Sequence, residues 1–86
     1  MHPRVITVRP LSPFTVELTF ADGTRGTVDL SRWIVGSEGV FAALQERAYF
    51  RRVTVDPEAG TIVWPNGADL DPDVLYELAQ QAHTTT

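Results

Sequence analysis

Residues 14–30 read FTVELTFADGTRGTVDL and carry the clearest pattern in the chain. Phe14, Val16, Leu18 and Phe20 alternate with polar residues. A period of two is typical of a half-buried β-strand, because successive side chains of a strand point to opposite faces. A short turn with a glycine follows, and then apolar residues alternate again. The segment therefore predicts an antiparallel hairpin with one buried face.

The loop length of this hairpin follows from the need to keep its apolar residues on one face. Residues that pair directly across an antiparallel ladder point to the same side of the sheet. A three-residue loop, 21–23, pairs Leu18 with Gly26. The same register pairs Val16 with Val28, whereas a two-residue loop would move Val28 to the opposite face. We therefore predict the three-residue loop, whose last residue is a glycine that tolerates the left-handed conformation.

Further strands flank this hairpin on both sides. The β-branched run at residues 4–9 predicts a strand that precedes it. Residues 53–64 predict a second hairpin around a four-residue loop, because that loop begins with proline and ends with glycine. In this register Val55 pairs with Ile62, so the apolar faces of both strands match again.

Two helices complete the predicted architecture. After a helical turn at residues 30–35, Ser37 is expected to cap a helix of about ten residues. A last helix is predicted over 72–82, because Asp71 is a favourable N-cap and proline suits the first helical position. The expected buried stripes of the two helices are Phe41, Leu44 and Ala48, and Leu75, Leu78, Ala79 and Ala82.

The element order is therefore β-β-β-α-β-β-α, which indicates an α+β fold of two antiparallel hairpins, about five strands in all, with two helices packed on one side. We expect a single domain over residues 1–86, with a frayed tail at 83–86. An edge strand at 4–9 could pair with a second copy across a two-fold axis, so a homo-oligomer stays open.

Composition excludes several kinds of chemistry. The 86 residues contain no cysteine, which excludes disulfides, thiolate nucleophiles and cysteine-bound zinc. They contain no lysine either, which excludes Schiff-base and P-loop chemistry. Neither a signal-peptide core nor a transmembrane run is present, so we expect a cytoplasmic protein that does not enter the membrane.

Acidic residues are concentrated in the last third of the chain. The formal net charge is −4, yet residues 1–43 carry equal numbers of acids and bases. From residue 53 onward the chain has acids and no Lys or Arg: Asp56, Glu58, Asp69, Asp71, Asp73 and Glu77. This segment would repel a phosphate backbone and attract a basic partner surface. A solvated face that aids solubility explains the same charges without a partner.

No catalytic, cofactor or metal site is predicted. His2 and His83 lie at the chain ends, where nothing orients an imidazole for general-base catalysis. The aspartates at 69, 71 and 73 have the spacing of the first three ligands of a calcium loop. Such a loop needs glycine at its sixth position and glutamate at its twelfth, where this chain has Val74 and Gln80. Helix capping is the favoured interpretation, and we expect no enzyme.

Two other groups of side chains allow competing functions. A small-ligand sensor could use a pocket lined by Trp33, Trp64 or Tyr76, although large aromatic residues in so short a chain favour the core. A weak nucleic-acid binder could use Arg47, Arg51 and Arg52, which surround two aromatic residues. Pairing of these arginines with acids such as Glu46 is the simpler explanation.

The most specific motif of the sequence is WPNGADLDP at residues 64–72. It is accompanied by Phe20-x-Asp22-Gly23, Val28-Asp29-Leu30, Phe41-x-x-Leu44, Phe50, Val53-x-Val55 and Leu75-Tyr76. With these motifs the sequence resembles the domain of unknown function 2442 family of small bacterial proteins. The resemblance implies an α+β fold and no established function. Some relatives carry a helix-turn-helix segment that this sequence lacks, and similar genes often lie beside another small gene, which has suggested a toxin–antitoxin pair.

The leading hypothesis is therefore a non-enzymatic protein-interaction module, the acidic antitoxin-like or regulatory partner in a two-gene operon. Its expected partner-binding residues are Trp64, Asn66, Asp69, Asp71 and Asp73.

Overall fold

Two antiparallel sheets make up the β-structure of the chain. The computed structural model describes residues 3–11 and 13–84, with side chains through residue 80. The first sheet has the order β1-β2-β3, and the second is the hairpin β4-β5. The strands are β1 Val5–Leu11, β2 Thr15–Phe20, β3 Arg25–Asp29, β4 Thr54–Asp56 and β5 Thr61–Val63.

Four helical segments accompany the sheets. Three lie between β3 and β4: α1 Ser31–Ile34, a 3₁₀ helix Gly39–Gln45 and α2 Arg47–Phe50. The fourth, α3 Pro72–Thr84, follows the second hairpin. The order of strands and helices agrees with the predicted one, and the α+β class is confirmed.

The register predicted for the first hairpin is confirmed. Val16 pairs with Val28 and Leu18 with Gly26. The loop has three residues, because Phe20 N donates to the Thr24 carbonyl at 2.8 Å. Its glycine has a φ of 90°, which side chains with a Cβ rarely adopt. The local alternation and one glycine were therefore sufficient to predict how these strands pair.

The second hairpin also has the expected register, with Val55 opposite Ile62. It lies beside the edge strand β1. Val5 N donates to the Gly60 carbonyl at 3.0 Å, and the Arg4 guanidinium donates to the carbonyls of Pro57 and Glu58. Part of the β1 edge that could pair with a second copy is therefore occupied within the chain.

The predicted ten-residue helix between the hairpins is wrong. The chain forms a 3₁₀ helix and then a separate α-helix, because Glu46 adopts an extended conformation (φ −83°, ψ 122°) between them. The Ser37 hydroxyl donates back to the Ile34 carbonyl at 2.6 Å and caps no helix. Leu44 is buried as expected, but Ala48 is exposed. Gly39, with a φ of 71°, does not fit a regular α-helical first turn.

The last helix begins where the sequence predicts. The Asp71 carboxylate accepts a hydrogen bond from Asp73 N at 2.9 Å, as an N-cap should. Leu75 and Ala79 are buried, and Leu78 is partly buried against the core. The backbone stays helical to Thr84, beyond the predicted end at residue 82. The rest of the predicted frayed tail, the side chains of Ala82 and His83, and all of His2 lie outside what the structure describes.

One hydrophobic core joins all these elements. Helix α3 packs across β3, where a Cβ built on Gly26 would lie 2.7 Å from the Ala79 carbonyl oxygen. Glycine is therefore needed for this close approach. The buried apolar residues are Val5, Val16, Leu18, Phe20, Val28, Leu30, Ile34, Leu44, Phe50, Val53, Ile62, Trp64, Ala68, Leu75, Tyr76 and Ala79.

A polar contact also holds α3 to the first hairpin. The Tyr76 hydroxyl donates to the Asp22 carboxylate at 2.7 Å, and its ring packs edge-on against Phe20. Thr24 N donates to the same carboxylate at 2.9 Å. The bond from Tyr76, and then that from Thr24, hold the pKa of Asp22 below its ordinary value of 3.8. The loop and the helix are thus joined through an ionised carboxylate.

Among the helices of the described residues, none combines the length and apolar character that a membrane span requires.

Candidate functional site

The loop after β5 is rigidly anchored by Trp64. Its side chain is only 2% exposed, and its indole Nε1 donates to the Phe50 carbonyl at 2.9 Å. Trp64 N donates to the Ala68 carbonyl, and Gly67 N donates to the Trp64 carbonyl, both at 2.9 Å. Gly67 has a φ of 90°, which completes this tight turn. The buried tryptophan thus anchors the turn to the core.

Trp64 therefore contributes no exposed surface for a partner. A large ring at the end of a core strand buries much apolar area, and its N–H finds a backbone acceptor there. The sequence carried a signal for this position, since the predicted register with Val55 opposite Ile62 also places Val53 opposite Trp64 on the apolar face. The four remaining predicted partner-binding residues are all exposed: Asn66, Asp69, Asp71 and Asp73. We call these four the acidic loop.

Asn66 ties the acidic loop to the 3₁₀ helix. Its Oδ1 accepts from Ala68 N at 3.1 Å, and its Nδ2 donates to the Val40 carbonyl at 2.8 Å. Both ends of the amide are thus used within the chain. The Val40 side chain is 48% exposed, so an apolar surface lies next to this tie.

The three aspartates differ in what they do within the fold. The Asp71 carboxylate caps α3, and its backbone carbonyl accepts from Leu75 N at 3.1 Å. Asp69 forms an isolated antiparallel bridge with Val63 through its backbone. In the part of the chain that the structure describes, no ion pair or side-chain hydrogen bond engages the carboxylates of Asp69 and Asp73. These two carboxylates are therefore free to meet a cation from outside.

The calcium interpretation finds no support in this geometry. Among the described residues, no group of three or more His, Asp or Glu side chains is placed to hold a metal ion.

The three rings considered for a ligand pocket lie apart from one another. Trp64 packs on Phe50, with ring centroids 5.8 Å apart, whereas Tyr76 packs on Phe20. Trp33 is partly buried, with the Arg32 guanidinium 5.5 Å from its ring centroid. These rings are used in separate packing contacts rather than around a shared cavity.

The three arginines considered for nucleic acid are all exposed, but they face different surroundings. The Arg52 guanidinium lies 5.4 Å from the Tyr49 ring centroid. Arg47 and Arg51 line a different cavity, described below. The predicted pairing with Glu46 is not formed, because within residues 3–11 and 13–80 none of the three arginines makes an ion pair.

Sequence reasoning missed a cavity of about 290 Å³ between the end of β1 and α2. Its lining residues are Pro10, Leu11, Pro13, Arg47, Phe50 and Arg51. Only the folded chain brings these two segments together. A signal was nevertheless present, since Arg47 and Arg51 are four residues apart and lie on one side of a helical turn.

Comparison with known proteins agrees with the motif at residues 64–72. Residues 5–81 match a family model described as "Protein of unknown function (DUF2442)". No curated protein and no solved structure matches the chain. Because the match extends through both hairpins and most of α3, the chain belongs to the DUF2442 family, whose function is unknown.

Proposed function

We propose that this chain is a cytoplasmic protein-interaction module without catalytic activity, which binds a basic partner surface through its acidic loop. The observation that carries the proposal is the pair of exposed carboxylates, Asp69 and Asp73, which no group of the described chain neutralises. Exposed charges of one sign steer a partner of opposite charge and favour its docking in one orientation.

The rigidity of the loop supports this function. Trp64, which precedes the loop, is bonded to the Phe50 carbonyl, and the Asp71 carboxylate caps α3. Asp69 therefore lies on a segment that is held on both sides. A preorganised loop loses less conformational entropy when a partner binds. Two exposed valines provide apolar contacts close to the loop. Val40 is 48% exposed and accepts the Asn66 bond through its carbonyl, and Val74 is 37% exposed and follows Asp73 in the chain.

Within this proposal, the partner is the product of an adjacent gene, and the chain is the acidic, antitoxin-like or regulatory member of the pair. An acidic surface supports such a role because it can neutralise a basic surface with which the partner acts on another molecule. The antitoxin-like role is tested by comparing the growth of cells that express the neighbouring gene alone with that of cells that express it together with this chain.

Co-purification with the product of the adjacent gene tests the proposal directly. The variant D69N/D71N/D73N removes three negative charges and keeps the cap, because asparagine is as good an N-cap as aspartate. We expect it to fold normally and to bind at least about tenfold more weakly, because the attraction between the surfaces is lost.

The matched control removes three charges elsewhere. The glutamates at 38, 46 and 58 are exposed, so E38Q/E46Q/E58Q has the same net charge as the loop variant. Binding by this control should stay near that of the unmodified chain. Equal loss in both variants would show a non-specific charge effect, and unchanged binding by the loop variant would place the partner on another surface. Either result contradicts the proposal.

A further inference from the structure

The cavity between β1 and α2 has the features of a small ligand site. Its volume of about 290 Å³ lies just below the range of about 300–1,000 Å³ that is typical of ligand pockets. Phe50 is 1% exposed, and it packs edge-on against Phe14 with ring centroids 5.6 Å apart. The apolar floor of the cavity is therefore part of the packed core and is formed before any ligand arrives.

Two prolines make one wall of this cavity rigid. Pro10 lies within β1, opposite Val16, and Pro13 follows the strand. Proline has a fixed φ and no backbone N–H, so these residues offer a ligand apolar surface without donors. Recognition of a polar group must then come from the other side of the cavity.

The other side carries two guanidinium groups. Arg51 N donates to the Arg47 carbonyl at 3.1 Å, so the two residues lie one helical turn apart. Like charges at this spacing repel each other. Neither arginine has a carboxylate partner in the described part of the chain. An anion between them would relieve the repulsion, and a guanidinium binds a carboxylate through two parallel hydrogen bonds.

From these observations we infer that the cavity binds a small organic acid, with its carboxylate between Arg47 and Arg51 and its single apolar ring against the two prolines. None of the acidic-loop residues lines this cavity. A ligand of one ring and one carboxylate suits both the small volume and the division of the lining into an apolar and a cationic part.

Amide chemical shifts measured during a titration with benzoate test this assignment. Benzoate carries both a ring and a carboxylate, benzyl alcohol has the ring without the charge, and acetate has the charge without the ring. We expect benzoate to give saturable shifts at Leu11, Phe50 and Arg51, with an affinity at least tenfold higher than that of either other probe. Shifts at other places only, or equal affinity for acetate and benzoate, would overturn the assignment.

Variants separate this site from a general basic surface. R47Q/R51Q removes both charges and should weaken benzoate binding at least tenfold. R52Q is the matched control, because its guanidinium lies over Tyr49 and outside the cavity, and it should change the affinity less than twofold. The single variants R47Q and R51Q should bind benzoate with affinities between those of the unmodified chain and the double variant. They serve as a second test if the double variant does not keep a native spectrum.

A single-stranded oligothymidylate tests whether the face that carries these arginines binds nucleic acid instead. If it binds to the chain in competition with benzoate, and R47Q, R51Q and R52Q weaken its binding equally, this face is a nucleic-acid surface and the assignment is wrong. If the oligonucleotide leaves the benzoate shifts unchanged, the small-acid site stands.

Discussion

The β2–β3 hairpin and the helical segment of residues 31–50 are held in place by different kinds of interaction. The hairpin contains its own hydrogen-bond ladder and presents one apolar face to the core. The helical segment consists of three short pieces, and an isolated helix of four to seven residues is unstable in water. Its bonds to Trp64 and Asn66 come from another part of the chain.

This difference shows where the stability of each region originates. The backbone hydrogen bonds of the hairpin join residues that are close in sequence, whereas the helical segment also accepts bonds from the loop that follows the second hairpin. Because that loop also carries the aspartates, the acidic loop and the helical segment form one structural unit. A partner that binds the loop is therefore expected to reduce the local opening of the helical segment.

Removing a core side chain that both regions share should have the largest effect. Leu18 is fully buried, so Leu18→Ala is expected to lower the free energy of unfolding by about 2–5 kcal/mol. Amide hydrogen exchange should accelerate together in the hairpin and in the helical segment, because the core is common to both. Thr27→Ala, at an exposed position of the partner strand, should cost at most about 1 kcal/mol. Exchange that accelerates in only one region would show two independent cores.

A change at Trp64 should instead separate the two regions. Trp64→Phe keeps a large ring but removes the indole donor, which leaves the buried Phe50 carbonyl without that bond. The expected cost is about 1–3 kcal/mol. Amides of residues 47–50 should lose more protection from hydrogen exchange than those of β2 and β3. Equal loss in both regions would contradict the dependence of the helical segment on this loop.

The same contrast explains how much could be predicted from the sequence. Strict alternation and one glycine fixed the pairing of Val16 with Val28, because both signals are local. The prediction of a helix capped by Ser37 was wrong. The carbonyls of Val40 and Phe50 in this segment accept long-range hydrogen bonds, which local spacing does not show. Apolar spacing alone did not reveal the extended residue, Glu46, that divides it into two.

Only part of the candidate site could be predicted from the sequence, for the same reason. Exposed aspartates and an N-cap follow from composition and local spacing, and the structure places them as expected. The burial of Trp64 depends on its bond to Phe50, which is 14 residues away. The cavity beside Arg51 also needs a strand from the beginning of the chain, so the spacing of Arg47 and Arg51 could not indicate it alone.

The smallest predicted effect concerns acid stability at the junction of the hairpin and α3. The folded-state pKa of Asp22 is lowered, so its stabilising contribution is present above its ordinary pKa of 3.8 and is lost as the pH falls through the lower folded value. Tyr76→Phe removes the largest cause of this shift. The pKa of Asp22 should then rise toward 3.8, and the stabilising contribution of its carboxylate above that pH should become smaller.

Asp29, at the start of the helical segment, is the internal control for this variant. Its pKa is also lowered, first by the backbone N–H of Ser31, and Tyr76 is not among the causes. Carboxyl shifts followed by NMR during an acid titration should therefore show an increase for Asp22 and none for Asp29. If both pKa values rise, Tyr76→Phe has loosened the hairpin and the helical segment together. The acid sensitivity would then be a property of the whole fold, because the Tyr76 hydroxyl bonds to Asp22 and is not a cause of the Asp29 shift.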